Sequence, residues 1–148
     1  MKYIYFSVLI QIIFLLSCNK EEPVKNEDTP MFSMEIDGTN WQTGNYSYKI
    51  ENEKPKIYAS DNIYTLHWTF DASIKTKTYT LGLKENELVS GFYLFIDGKT
   101  TTLDILSGTL TIEKIDSSNS TIKGSFEFSA SNNGKTIQIK NGKFYIKY

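Results

Sequence analysis

Arginine is absent, and all sixteen cationic side chains are lysine. Proteins that read nucleic acid need a concentrated basic face and arginine's bidentate contacts to guanine and phosphate, so nucleic acid is not an expected partner. The chain has one cysteine, Cys18, and one histidine, His67. A single cysteine excludes an internal disulfide, and one His with one Cys cannot build a zinc site. No spaced aspartate run matches a calcium loop, and no G-x-S-x-G elbow accompanies the histidine. His67 is the only side chain that titrates near neutrality when unperturbed. We therefore expect no cofactor, no metal and no enzymatic activity. A Ser-His-Asp arrangement through His67, or a glycosidase-like pair of carboxylates, would need cross-strand neighbours that sequence does not reveal.

Long apolar runs are missing too, apart from "YIYFSVLIQIIFLLS" at residues 3–17. As a helix these fifteen residues would span about 22 Å, short of the roughly 30 Å hydrocarbon core of a bilayer. One positive charge, an apolar stretch and a small residue before the break are the order of a secretory signal peptide. Residues 1–17 are accordingly assigned to a signal that is removed. Leu15-Leu16-Ser17-Cys18 resembles the lipobox of bacterial lipoproteins. That resemblance implies cleavage between Ser17 and Cys18, diacylglycerol on the Cys18 sulfur, and acylation of the freed amine by a chain such as palmitate. Two or more acyl chains hold a protein stably where one does not, at about 0.8 kcal/mol per buried CH2.

The next segment, "NKEEPVKNEDTP", carries two lysines, four acidic residues, two prolines and one apolar side chain. It cannot bury a core, and residues 18–30 are expected to form a lipidated, acidic, disordered tether averaging roughly 20 Å end to end. Lys20-Glu21-Glu22 resembles the export signal that sends lipoproteins of Bacteroidota to the outside of the outer membrane. Solvation alone also accounts for charge in a linker.

Without residues 1–17 the chain holds fifteen lysines against seventeen acidic residues, a net charge of −2. Residues 31–148 are enough for one domain with a real core and too few for two. Ten Tyr, nine Phe and frequent Thr favour pleated sheet. Leu110 and Ile112, then Ile122, Phe126, Phe128 and Ala130, alternate with polar residues, so one face is core and the other wet. Tyr64, Leu66, Trp68 and Phe70 form a further inward stripe, which puts His67 outside with Thr65 and Thr69. Additional strands are expected near 44–50, 55–60 and 76–81. Asp37-Gly38, Asp97-Gly98, "DSSNS" at 116–120, Asn133-Gly134 and Asn141-Gly142 mark turns, because Asn, Asp and Gly accept the backbone angles of tight hairpins. Asp37, Asp61, Asp97 and Asp116 are read as capping residues of such turns. Only 81–90 has room for a helical turn. The expected fold is all-β: a single antiparallel β-sandwich or flattened barrel of about ten short strands, rich in meanders.

In "GFYLFI", 91–96, both faces are apolar, with Phe92, Leu94 and Ile96 on one and Tyr93 and Phe95 on the other. Contiguous exposed apolar patches are uncommon on monomers. Either a loop such as 81–90 covers the second face, or Tyr93 and Phe95, joined by Tyr46 and Tyr48, form a binding patch for a glycan or an envelope protein.

Three stretches, "IDGTNW" at 36–41, "GTLTIEKID" with "IKGSFEFSA" between 108 and 130, and "KNGKFYIKY" at 140–148, resemble a family of uncharacterised lipoproteins of Bacteroidota, known as a domain of unknown function. The resemblance implies the fold and the membrane address but no activity. The function expected is a non-catalytic binding or interaction lipoprotein, lipid-anchored to the outer membrane and facing the cell surface. The alternatives are a periplasm-facing orientation, a structural subunit of an envelope complex, and a hydrolase or hydrolase inhibitor. Replacing Cys18 by Ser is expected to move the protein from the membrane to the soluble fraction and to abolish the lipid mass shift; a variant still membrane-bound at unchanged mass would end the lipoprotein reading.

Overall fold

The computed structural model describes residues 29–82, 88–96 and 98–148. The described residues form ten strands and no helix: β1 (Met31–Ile36), β2 (Thr39–Thr43), β3 (Tyr46–Glu51), β4 (Lys54–Ser60), β5 (Tyr64–Phe70), β6 (Thr78–Leu81), β7 (Leu88–Ile96), β8 (Lys99–Asp116), β9 (Thr121–Asn132) and β10 (Lys135–Lys147). All pair antiparallel in the order β2-β1-β10-β9-β8-β7-β5-β4-β3, with β6 on β8. The sheet curls into a flattened half-barrel with two facing layers. β2, β1, β10, β9 and β6 make the first layer, and β7, β5, β4 and β3 the second. β8 belongs to both: Lys99–Leu103 pairs with β7, whereas Asp104–Asp116 pairs with β9.

Chain connectivity forces the curl. β2 and β3 stand at opposite ends of the strand order yet are joined by Gly44 and Asn45 alone. Two residues reach about 7 Å, so the sheet's two ends must meet. They are fastened there by side chains: the Thr43 hydroxyl of β2 donates to the Ser60 carbonyl of β4 at 2.8 Å, beside the Ser60 amide's bond to the Asn45 carbonyl at 3.0 Å that continues the β3–β4 ladder. Trp41 Nε1 donates to Asp61 Oδ2 at 2.6 Å. The other Asp61 oxygen accepts the amides of Ile63 and Tyr64 at 2.7 and 2.6 Å, which makes the β4–β5 turn.

Between the layers lies an aromatic core. Trp68 of the second layer packs against Phe32, Phe126 and Phe144 of the first, with ring centroids 5.7, 5.1 and 5.4 Å away. Its indole N–H is buried without a hydrogen-bond partner, a cost of about 1–3 kcal/mol that the surrounding ring contacts offset. Glycines make this packing possible. Phe144 lies directly opposite Gly124, Phe126 opposite Gly142, and Phe128 opposite Gly108. A Cβ at any of these glycines would run into the facing ring or the backbone beside it. The rings of Phe144 and Phe126 therefore settle on bare backbone across the strand gap, and at Gly108 the two backbones approach closely.

The alternating stripes over 110–112, 122–130 and 64–70 occupy the core as expected, and Tyr64 packs at its margin. Asp37 (φ 47°) and Gly38 (φ 81°) close β1–β2 as a two-residue turn with both angles positive. Asp37 does not cap its own turn; it accepts the Gln138 amide of β10 at 2.8 Å. Asp116 does cap, taking the amide and side chain of Asn119 at 3.1 and 3.0 Å. Gly98 (φ 73°) turns β7 into β8; Asp97 and the Ile96 side chain lie outside the described residues.

A further expectation is corrected. Asn141-Gly142 is no hairpin turn: β10 runs on through it, and the positive φ of Asn141 is absorbed by a bulge between Ile139 and Gly142. The last third is thus built from long strands of 18, 12 and 13 residues instead of short ones. Of the segment 81–90, Leu81 ends β6 and Leu88–Ser90 begin β7; 83–87, where a helical turn had room, lie outside the described residues.

Phe144→Ala is expected to cost about 3–5 kcal/mol of stability and Gly124→Val about 1–3 kcal/mol by overpacking against the Phe144 ring. Gly44→Ala, placed where a Cβ meets open space, should be near neutral. Urea midpoints of the three variants test this order.

Candidate binding face

The second layer turns β4, β5 and β7 outward, and their register decides what stands side by side. Tyr58 of β4 is opposite His67 of β5, and His67 is opposite Gly91 of β7. Tyr93 follows two residues along β7, opposite Thr65, and Phe95 two further, opposite Thr100 of β8. Side chains of period two share a face, so Tyr58, His67, Tyr93 and Phe95 form one outward strip.

The rings touch. His67 lies 5.6 Å from Tyr58 and 5.5 Å from Tyr93, the latter nearly parallel at 12°. Gly91 permits this arrangement: a Cβ there would strike the imidazole and, at 2.9 Å, the Tyr93 ring. The two rings lean into the space a side chain would fill. Phe95 is 49% exposed and Val89, beside Thr69 on the same face, 61%. Hydroxyls of Ser60, Thr65, Thr69, Thr100 and Thr102 belong to the same pleat face. Lys56, held by Glu51 at 2.6 Å, adds a charged corner with Lys49 directly opposite on β3 and Lys54 two residues away.

Burial among these rings pushes the His67 pKa below its ordinary value, and the nearby Lys56 ammonium adds to the shift. At neutral pH the imidazole is therefore uncharged, and the strip presents aromatic faces and hydroxyls with little charge. Lys56 and Glu51 stabilise one another's charged forms, which raises the lysine pKa and lowers the glutamate's.

Tyr93 and Phe95 thus stand together as expected, but Tyr46 and Tyr48 do not join them. Tyr46 pairs with Ala59 and Tyr48 with Ile57, both core residues, so the two tyrosines face inward. Tyr46 packs toward Phe32 at 6.5 Å, and Tyr48 against Tyr148 at 4.9 Å. Burial, and then Tyr148, raise the Tyr48 pKa. Tyr58 and His67 take the places that Tyr46 and Tyr48 were expected to fill. The signal for Tyr58 was present in the alternation of "KIYAS", where Ile57 and Ala59 flank an outward residue. Cys18, Ser17, Lys20, Glu21 and Glu22 lie outside the described residues.

Among the described residues no polar or charged side chain is buried, and no three His, Cys, Asp or Glu side chains group as a metal site. His67 meets two tyrosines and a lysine, not a serine–aspartate pair.

Protonating His67 is harder in the folded state, so the stability it contributes is complete above the unfolded value of 6.5 and is lost as pH falls below that value. The carboxylates of Glu51 and Asp116 act lower, below their unfolded values of 4.5 and 3.8. Stability should therefore fall in two stages on acidification, and His67→Gln should remove the first. Denaturant midpoints measured from pH 7.5 to 3 would decide this.

In comparison with known families, residues 28–146 match the Domain of unknown function (DUF6252). No curated protein and no solved structure matches.

Proposed function

Because the chain belongs to the DUF6252 family, whose function is undefined, its role must come from its own residues, and we propose that it is a non-catalytic binding lipoprotein of the bacterial outer membrane. In this reading residues 1–17 are removed, lipidated Cys18 anchors the chain, residues 18–30 form the tether, and Lys20-Glu21-Glu22 directs the domain to the cell surface. The family resemblance of the strand and turn motifs to lipoproteins of Bacteroidota supports that address.

The observation that carries the binding role is the strip Tyr58–His67–Tyr93–Phe95. Four aromatic side chains on three neighbouring strands, rimmed by serine and threonine hydroxyls and with charge gathered at the Lys49–Lys56–Glu51 corner, match the chemistry of a glycan. Sugars offer apolar C–H faces to aromatic rings and hydroxyl edges to polar side chains. Rigid aromatics also lose little conformational freedom on contact, which favours affinity from a small surface. The exposed Val89 and Phe95 favour a second reading, an envelope protein seated on the same face as part of a structural complex.

Glycan-array binding by residues 18–148 is expected, and Tyr93→Ala with Phe95→Ala should weaken it more than tenfold, as loss of a central aromatic anchor does. Inward Tyr48→Phe should leave it unchanged. An empty array together with stoichiometric recovery of one envelope protein through Phe95 would replace the glycan with the protein partner, whereas turnover of a glycan lost in His67→Ala would make the protein a hydrolase.

A further inference from the structure

The outward face of the first layer is of a different character. Residues 99–148 hold seven lysines against four acidic residues, a net +3 in a mature chain of −2. Register gathers three of the lysines. Lys114 of β8 lies directly opposite Lys123 of β9, Lys123 is opposite Tyr145 of β10, and Lys147 stands one row away, opposite Thr121. Together they line a surface depression of about 660 Å³.

Like charges facing one another across strands are unfavourable, and a regular ladder would have avoided this pair. With Ile112 opposite Gly124, the next regular partner of Lys123 is Glu113. A bulge between Ile112 and Lys114 skips it: Glu113 turns to the Ser125 hydroxyl at 2.7 Å, and Lys114 takes its place. The same bulge returns Ile115 to its place opposite Ile122. Among the described residues the only carboxylate lining the depression is Asp116, 3.3 Å from Lys114 and already taken up by Asn119. Among the described residues no carboxylate pairs with Lys123 or Lys147.

The rim holds one more residue, Pro30, where the chain from Cys18 enters β1. Twelve residues separate Cys18 from Pro30 at its far end, a reach of about 40 Å at most. We infer that the Lys114–Lys123–Lys147 depression binds the phosphates of anionic lipid headgroups and docks the first layer's outward face on the membrane. The proximity of a bilayer rests on the lipid-anchor reading; the charge chemistry does not. The aromatic strip belongs to the other layer, so docking in this orientation points it away from the lipid.

The test uses residues 18–148 carrying Cys18→Ser, without lipid, sedimented with vesicles of phosphatidylcholine alone or with one third phosphatidylglycerol. Binding is expected to the anionic vesicles only, weakening with salt. Each lysine near an anionic surface is worth roughly fivefold, so the triple Lys→Gln variant should bind about a hundredfold more weakly. The triple Lys→Arg variant should retain binding, and equal melting temperatures would exclude misfolding as the cause. No binding to anionic vesicles, equal binding to neutral ones, or undiminished binding by the glutamine variant would overturn the proposal. So would full competition by inorganic phosphate at matched concentration, which would make the site one for a free anion. Binding that appears only after Glu21, Glu22, Glu27 and Asp28 are neutralised would also overturn it, in favour of the chain's own acidic segment as the occupant. Since no lipid is attached, failure here leaves the Cys18 anchor standing, and failure of the anchor in cell fractionation leaves this result standing.

Discussion

An aromatic ring lying on a cross-strand glycine is the contact on which the rest of this structure depends. It occurs in the core at Phe144 on Gly124 and Phe126 on Gly142, and on the surface at His67 beside Gly91. A glycine weakens an isolated strand because it has no side chain to pack. Opposite a large ring the deficit becomes room, and the ring covers backbone that would otherwise be bare. Phe126 and Phe144 use this in opposite senses on the same pair of strands, β9 and β10, each resting on the other strand's glycine. That leaves both rings where Phe32 and Trp68 can reach them, and these four side chains join the two layers. With any of these glycines replaced, the ring would have to lift, and the gap between layers would change with it.

The fold class was readable because the alternation in β5, β8 and β9 is strict, and a period of two leaves no choice about which face is buried. Turns at Asp37-Gly38 and Asn133-Gly134 were equally plain. What misled was Asn141-Gly142, since the same dipeptide serves a hairpin turn and a bulge, and only the ladder to β9 distinguishes them. Local sequence reports that a positive φ is available, not whether the chain reverses there. Tyr46 and Tyr48 misled for a related reason. "YSYKIE" alternates with no strongly apolar member until Ile50, so its inward face is set by Ala59 and Ile57 on the partner strand, which no reading of β3 alone supplies. The strip at Tyr58 and His67 was hidden in the same way, as three strands contribute one or two residues each.

A second constraint is the two-residue link between β2 and β3. It joins the ends of the strand order, and the bonds at Thr43, Ser60, Trp41 and Asp61 are the seam. Edge strands expose unpaired backbone groups that invite association. Here both edge strands of the main path, β2 and β3, are drawn to one seam, and the Lys147 amide reaches the Tyr46 hydroxyl at 3.4 Å along β3. Closure by side chains instead of a continuous ladder leaves the barrel half open. The seam is polar while the interior is aromatic, so the ends can meet without a further strand.

The two layers then divide the chemistry. Outward positions of the second layer collect an aromatic strip and hydroxyls, with Lys49, Lys54, Lys56 and Glu51 at one corner, whereas those of the first carry the Lys114–Lys123–Lys147 group, and the strand that changes layers, β8, contributes to both: Thr100 and Thr102 to one, Lys114 to the other. The bend in β8 between Ile105 and Ser107, just ahead of Gly108, separates these two stretches of a single strand. The chain enters at Pro30, on the lysine side. Under the proposed anchoring through Cys18, a tether leaving from that side would let the domain rest on a charged surface without turning over and keep its aromatic side free. Had the chain entered through the second layer instead, the same anchoring would turn the strip toward that surface. In that proposal the entry point of β1 bears on function as much as on topology, because it would decide which face is presented and which is concealed.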